Sequence, residues 1–167
     1  ELRSRATTVA TLFFSGITLV MMAFGLGRDP GLMASAAPGV LWVAVAFAGV
    51  IAAAQSFQAD LEEGALEQLL TFPVARAALY LGKLAANWVY LAVLGAIMLP
   101  VAFGLYGAAA PPGGWWVLGL AILLGSLGFA TIATFYAGLT ANLQAREALL
   151  PVLMFPVVVP ILLAAVR

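Results

Sequence analysis

The chain has 167 residues, 65% of them apolar and only 8% charged, with a formal net charge of zero. Soluble domains are typically about 45–50% apolar, and one soluble core of this size has no room for so many long apolar runs, so the bilayer has to be the solvent. No Cys and no His occur, which removes disulfides, thiolate chemistry, the usual transition-metal and haem ligands and the commonest catalytic base.

The sequence opens at 1-ELRSR-5 without Met, which reads as a trimmed or partial chain. A signal peptide would set a short basic segment before a short apolar run and a small-residue cleavage site. The run from Ala6 instead continues for about 20 residues, the length that crosses a hydrocarbon core of roughly 30 Å. Five stretches qualify as membrane helices, at about 6–27, 37–57, 84–106, 115–139 and 148–166. The dividers 28-RDPGLMASAAPG-39, 58–83, 107-GAAAPPGG-114 and 140-TANLQARE-147 carry the Gly, Pro or charge that stops a helix. Every backbone polar group must be satisfied inside lipid, so helices are the expected structure, an all-α polytopic bundle forming one domain over 1–167.

Lys and Arg set the orientation. A cytoplasmic N-terminus collects Arg3, Arg5, Arg76, Lys83 and Arg146 on the inner side and leaves Arg28 and Arg167 outside, as the positive-inside rule asks. Trp42, Trp115 and Trp116 then fall near the outer ends of their spans, where an aromatic belt is expected. No span carries an ionisable residue at its middle, unlike ion-coupled carriers. Asn87 is the deepest amide, with Gln55 nearer an end, and each reads as an interhelical hydrogen bond. No inverted repeat and no phosphate-binding loop occur; Gly82-Lys83 runs into Leu84 without the upstream glycine. Any work done here needs a partner to drive it. The zero net charge offers no basic face to nucleic acid.

Four of the seven carboxylates sit in 60-DLEEGALEQLLTFPVARAALYLGK-83. From Asp60 to about residue 72 the composition predicts a short amphipathic helix, its acids in the N-terminal turn where the dipole favours them. Leu66, Leu69, Leu70 and Phe72 form the apolar side, Glu63 and Glu67 share the polar side, and Pro73 ends the element. Two readings stand: a solvated connector kept out of the lipid by its acids, or a lever at the membrane surface that shows one face to a cytoplasmic partner. Lys83 and Asn87 lie one turn apart on one face, next to Trp88. Lys83 reads as snorkelling to lipid phosphate, and Asn87 as a hydrogen bond, either between helices or across a dimer.

The run 62-EEGALEQLLTFPVARAALYLGK-83 resembles the intracellular segment of ABC-2-type permeases, in which an acid, a Gly and a Leu-Glu-x-Leu-Leu core lead to a Thr-x-Pro turn and a Gly-Lys. More narrowly, 37-APGVLWVA-44, 56-SFQADLEEGALEQLL-70, Lys83 with Asn87 and Trp88, 122-ILLGSLGF-129 and 155-FPVVVP-160 are similar to the cytochrome c maturation protein B family (CcmB, long called haem exporter protein B). The resemblance runs nearly end to end and implies an ABC-2, type V exporter-like bundle. That family has six membrane helices where five are counted here, so a sixth is expected beyond Arg167.

The resemblance further implies a non-catalytic permease subunit in the bacterial inner membrane. It would form a homodimer with two ATPase subunits (CcmA), beside the haem-handling membrane protein (CcmC) and a one-span subunit (CcmD), with the haem chaperone (CcmE) an indirect partner. ATP and Mg would bind the ATPase, and haem would be handled by the partners. The segment of Asp60, Glu62, Glu63, Gly64, Leu66, Glu67, Leu69, Leu70, Thr71 and Pro73 would be the coupling helix, docking in a groove of the ATPase; Lys83, Asn87 and Trp88 would make interhelical or dimer contacts. Gly64 reads either as a close-approach point or as a tolerated helix glycine. With neither His nor Cys, haem would have only weak Met or Tyr ligands here, and Met21, Met22, Met98 and Met154 read as gap-fillers in apolar segments. Two alternatives share the spans: an ABC-2 exporter of lipid, polysaccharide or drug, and a non-transporting scaffold.

Overall fold

The computed structural model describes residues 2–27, 29–62, 75–109, 113–140 and 146–166, and these form five helices. They are α1 (Leu2–Leu26), α2 (Pro30–Glu62), α3 (Arg76–Tyr106), α4 (Trp115–Thr140) and α5 (Arg146–Val166). α2 is the hub and packs against each of the other four, which follow one another around it as α1, α3, α4 and α5. Small residues explain this: Ala37, Ala44, Ala46, Ala48, Gly49 and Ala53 on α2 let neighbouring backbones approach where lipid supplies no hydrophobic drive.

Among the described residues four helices are long and apolar enough to cross a membrane, over Thr8–Leu26, Pro30–Leu61, Ala77–Tyr106 and Trp115–Thr140. The apolar part of α5, Leu150–Val166, is shorter, near the lower limit of about 17 residues for a span. Phe13, Phe24, Trp116 and Val152 are among the large apolar side chains that stand exposed on the outside of the bundle, as lipid contact requires of a multi-pass membrane protein.

Two boundaries differ from those expected. Residues 30–39 are helix rather than loop, because Asp29 and Pro30 form a start signal. The Asp29 Oδ1 accepts the Gly31 N–H at 2.9 Å, the Asp29 carbonyl accepts Met33 N–H at 3.0 Å, and Pro30 occupies the first helical position, where no N–H is needed. Pro38 lies inside the same helix without ending it. At the other end α2 continues past residue 57 to Glu62, and α3 begins at Arg76 rather than near residue 84. Asp60 and Glu62 are therefore in the last turn of α2, not in the first turn of a new helix, and the dipole argument made for them does not apply. Polar residues stop the lipid-embedded part; they do not stop the helix.

Gly107 ends α3 in the left-handed conformation (φ 63°), which a glycine adopts without a Cβ clash. Trp42, expected in an outer belt, is buried in the core, with its ring against Gly125 of α4. Trp115 and Trp116 are exposed. Met98 and Met154 fill the core, while Met21 and Met22 face outward.

Candidate functional site

Interhelical polar contacts converge on α3. Near its start the Tyr80 hydroxyl donates to the Thr131 carbonyl of α4 at 3.1 Å. One turn on, the Lys83 ammonium makes an ion pair of 2.6 Å with Asp60, donates to the Ser56 carbonyl and lies 5.2 Å from the centre of the Phe57 ring, all three on α2. A further turn along, Asn87 donates to the Thr134 hydroxyl at 3.0 Å, and the Trp88 indole N–H donates to the Leu123 carbonyl at 3.0 Å. Tyr90 then meets the hydroxyl of Thr11, and Tyr106 donates to the Leu19 carbonyl at 2.8 Å, both on α1. Such bonds are worth roughly 0.5–2 kcal/mol each between membrane helices, and their joint effect is to fix α3 against three neighbours.

In the sequence the acidic segment runs between Asp60 of α2 and Lys83 of α3, and both helices are long. At 1.5 Å per residue, the 33 residues of α2 extend about 50 Å and the 31 of α3 about 46 Å, against a hydrocarbon core of roughly 30 Å. Both helices are therefore longer than a bilayer crossing needs.

Of the residues singled out in the sequence, Asp60 is half-buried and paired within the chain, and Lys83 is held by α2 instead of reaching for lipid phosphate. The Asn87 amide is buried and donates to the Thr134 hydroxyl of α4, an interhelical contact of the kind expected for it. Glu62 closes α2, and Glu63, Gly64, Leu66, Glu67, Leu69, Leu70, Thr71 and Pro73 lie outside the described residues. Thr134 is not singled out by the sequence, and Ser56 and Phe57 stand there only inside the run 56-SFQADLEEGALEQLL-70, with no role of their own. The only signal for them was helical register: Ser56, Phe57 and Asp60 fall on one face of a helix that continues to Glu62.

Among the described residues no group of three His, Cys, Asp or Glu could hold a metal ion. A gap of about 10 Å³ between Trp42, Leu91, Gly95, Ile122 and Ser126 has room for about one water, far too little for an organic substrate.

The profile of the CcmB protein family matches residues 1–167. The chain belongs to the CcmB family. Its relatives include Heme exporter protein B of Haemophilus influenzae, 28% identical over 164 residues, covering 98% of this chain and 73% of that protein. Heme exporter protein B of Rhodobacter capsulatus is 31% identical over 152 residues, with 91% and 69% covered. That of Pseudomonas aeruginosa is 29% identical over 164 residues, with 96% and 71% covered. CcmB membership places the all-α bundle among ABC-2-type permeases, the class that the acidic segment and the order of the spans suggested.

Proposed function

We propose that this chain is the membrane-embedded permease subunit of an ATP-driven complex for c-type cytochrome biogenesis in the bacterial inner membrane, with its N-terminus in the cytoplasm. The relatives' shared name, Heme exporter protein B, supports a task connected with haem. The chain's composition supports a mechanical role in that task over haem ligation, since it has no His and no Cys. In this reading an ATPase subunit of the CcmA kind binds the segment 63–74 from the cytoplasm. Proteins of the CcmC and CcmD kinds sit alongside in the membrane, a second copy completes the permease pair, and a haem chaperone of the CcmE kind is served indirectly.

What supports the mechanism is the length of α2 and α3, each greater than a bilayer crossing needs, and their pairing at Asp60 and Lys83, which flank the acidic segment in the sequence. A lever works only if the partner contacts it differently in two states. Glu63 and Glu67 would meet basic residues of the ATPase groove, Leu66, Leu69 and Leu70 its apolar floor, and Gly64 a point of close backbone approach. ATP-driven closure of the ATPase pair then displaces the segment and tilts α2 and α3 with it.

The test is formation of c-type cytochrome in a bacterium whose own permease gene of this family is deleted. The wild-type protein is expected to restore it. A Glu63→Lys/Glu67→Lys variant that accumulates in the membrane to the same level is expected to restore less than about a tenth, the loss when several charge-assisted contacts turn repulsive. Full restoration by that variant would return the acids to the role of a solvated connector.

A further inference from the structure

We propose that the Asp60–Lys83 pair is a strap that ties the end of α2 to the start of α3, so that the segment between them moves both helices as one body. The inference rests on the reading of 63–74 as a docking segment and adds what makes that segment transmit force.

One ammonium grips three residues on a single face of α2: it pairs with Asp60 at 2.6 Å, donates to the Ser56 carbonyl and lies 5.2 Å from the Phe57 ring centre. Phe57 in turn touches α4, since a Cβ on Gly138 would stand 3.4 Å from its ring, ordinary contact distance. α3 itself is immobilised around Lys83, with Tyr80 bonded to α4 one turn before it and Asn87 one turn after. The strap therefore joins a fixed point on α3 to the final turns of α2. The Lys83 and Asp60 side chains are only 23% and 24% exposed, so water and salt weaken the pair less than they would a fully exposed one. Lys83 also lies beside the negative end of the α2 dipole, where a cation is favoured.

The strap adds an ionic link between α2 and α3 to the packing already present at this end, such as Phe57 on α4. Its loss leaves the two helices freer to scissor, so that part of the segment's displacement is spent in bending them apart. The segment would still bind a partner.

The experiment uses the full chain in its complex with the ATPase subunit and compares Lys83→Met, Asp60→Asn, the double variant and Lys83→Arg. Each single variant is expected to keep the ATPase bound and to lower c-type cytochrome formation by about fivefold, with the double variant no worse than either single, the signature of two residues acting as one unit. Lys83→Arg keeps the cation and is expected to retain most of the output. Spin labels at Gln55 on α2 and Leu81 on α3, both exposed and both at the strap end, give a readout that needs no ATPase. Their distance distribution is expected to be narrow in the wild type and in Lys83→Arg, and broad in Lys83→Met. Unchanged distributions, losses that multiply in the double variant, or release of the ATPase by Lys83→Met would each overturn the strap. Retention of the ATPase by Glu63→Lys/Glu67→Lys would instead remove the docking reading, and the spin-label result would stand apart from it.

Discussion

Gly49→Ala is expected to destabilise the bundle by about 1–3 kcal/mol, the usual cost of forcing extra atoms into a filled core. Gly49 faces both α3 and α4: a Cβ there would fall 3.1 Å from Leu91 Cδ2 and 3.1 Å from Phe129 Cδ1, and closer still to Phe129 Cε1. Neither neighbour has anywhere to go, since Leu91 is 1% exposed and Phe129 is fully buried. One helix must move away, and α2 is the helix on which all the others pack. Reversible unfolding in mixed micelles measures the effect. Gly104→Ala serves as the control, because a Cβ at Gly104 meets nothing within 4 Å; removing a helix glycine there is expected to stabilise by up to about 1 kcal/mol. Equal behaviour of the two variants would mean that α2, α3 and α4 do not approach as closely as described.

Gly125→Ala is expected to cost a similar amount, about 1–3 kcal/mol, for a different reason. Here the added methyl would fall 2.6 Å from Trp42 Cζ2, nearer still to Cη2, and 3.2 Å from the Ala165 Cβ. The Trp42 indole is a rigid plate buried between α2 and α4, and a rotation that cleared the methyl would drive it into other core residues. Trp42→Phe shortens that plate. The double variant Gly125→Ala/Trp42→Phe is therefore expected to be more stable than the two single losses predict, with a coupling of about 0.5 kcal/mol or more. Strict additivity would place Trp42 elsewhere, for instance in the outer aromatic belt that its sequence position suggested.

That misplacement of Trp42 shows what hydropathy reads and what it does not. Apolar runs marked where lipid begins and ends along each helix, and the four longer spans were legible for that reason. Helix ends were not, because a helix is free to continue through water. The residues 58–62 are Gln, Ala, Asp, Leu and Glu, with no breaker among them, and α2 runs on through them. At the other end Asp29-Pro30 starts a helix, yet in sequence a charge beside Gly and Pro has the composition of a loop.

The polar contacts divide in the same way. That Lys83 and Asn87 share a face follows from their spacing of four residues. Their partners, Asp60 and Thr134, come from two other helices, and only packing brings them together. Asp60 in particular looks free for a partner protein in the sequence, where nothing signals that α2 runs on to it and that Lys83 pairs with it. The buried Met98 and Met154 were read correctly as core residues, since their surroundings in sequence are apolar throughout.

The most direct measurement of the central claim is recovery of the candidate ATPase subunit when the full-length permease is purified in mild detergent, compared between wild type and Glu63→Lys/Glu67→Lys. Retention of the ATPase on the wild type and its loss from a variant whose helices remain folded is the predicted result, and it makes the acidic segment the docking site of an ATP-driven machine. Equal recovery from both would contradict the account, leaving the segment a solvated connector and moving ATPase contact to another part of the chain.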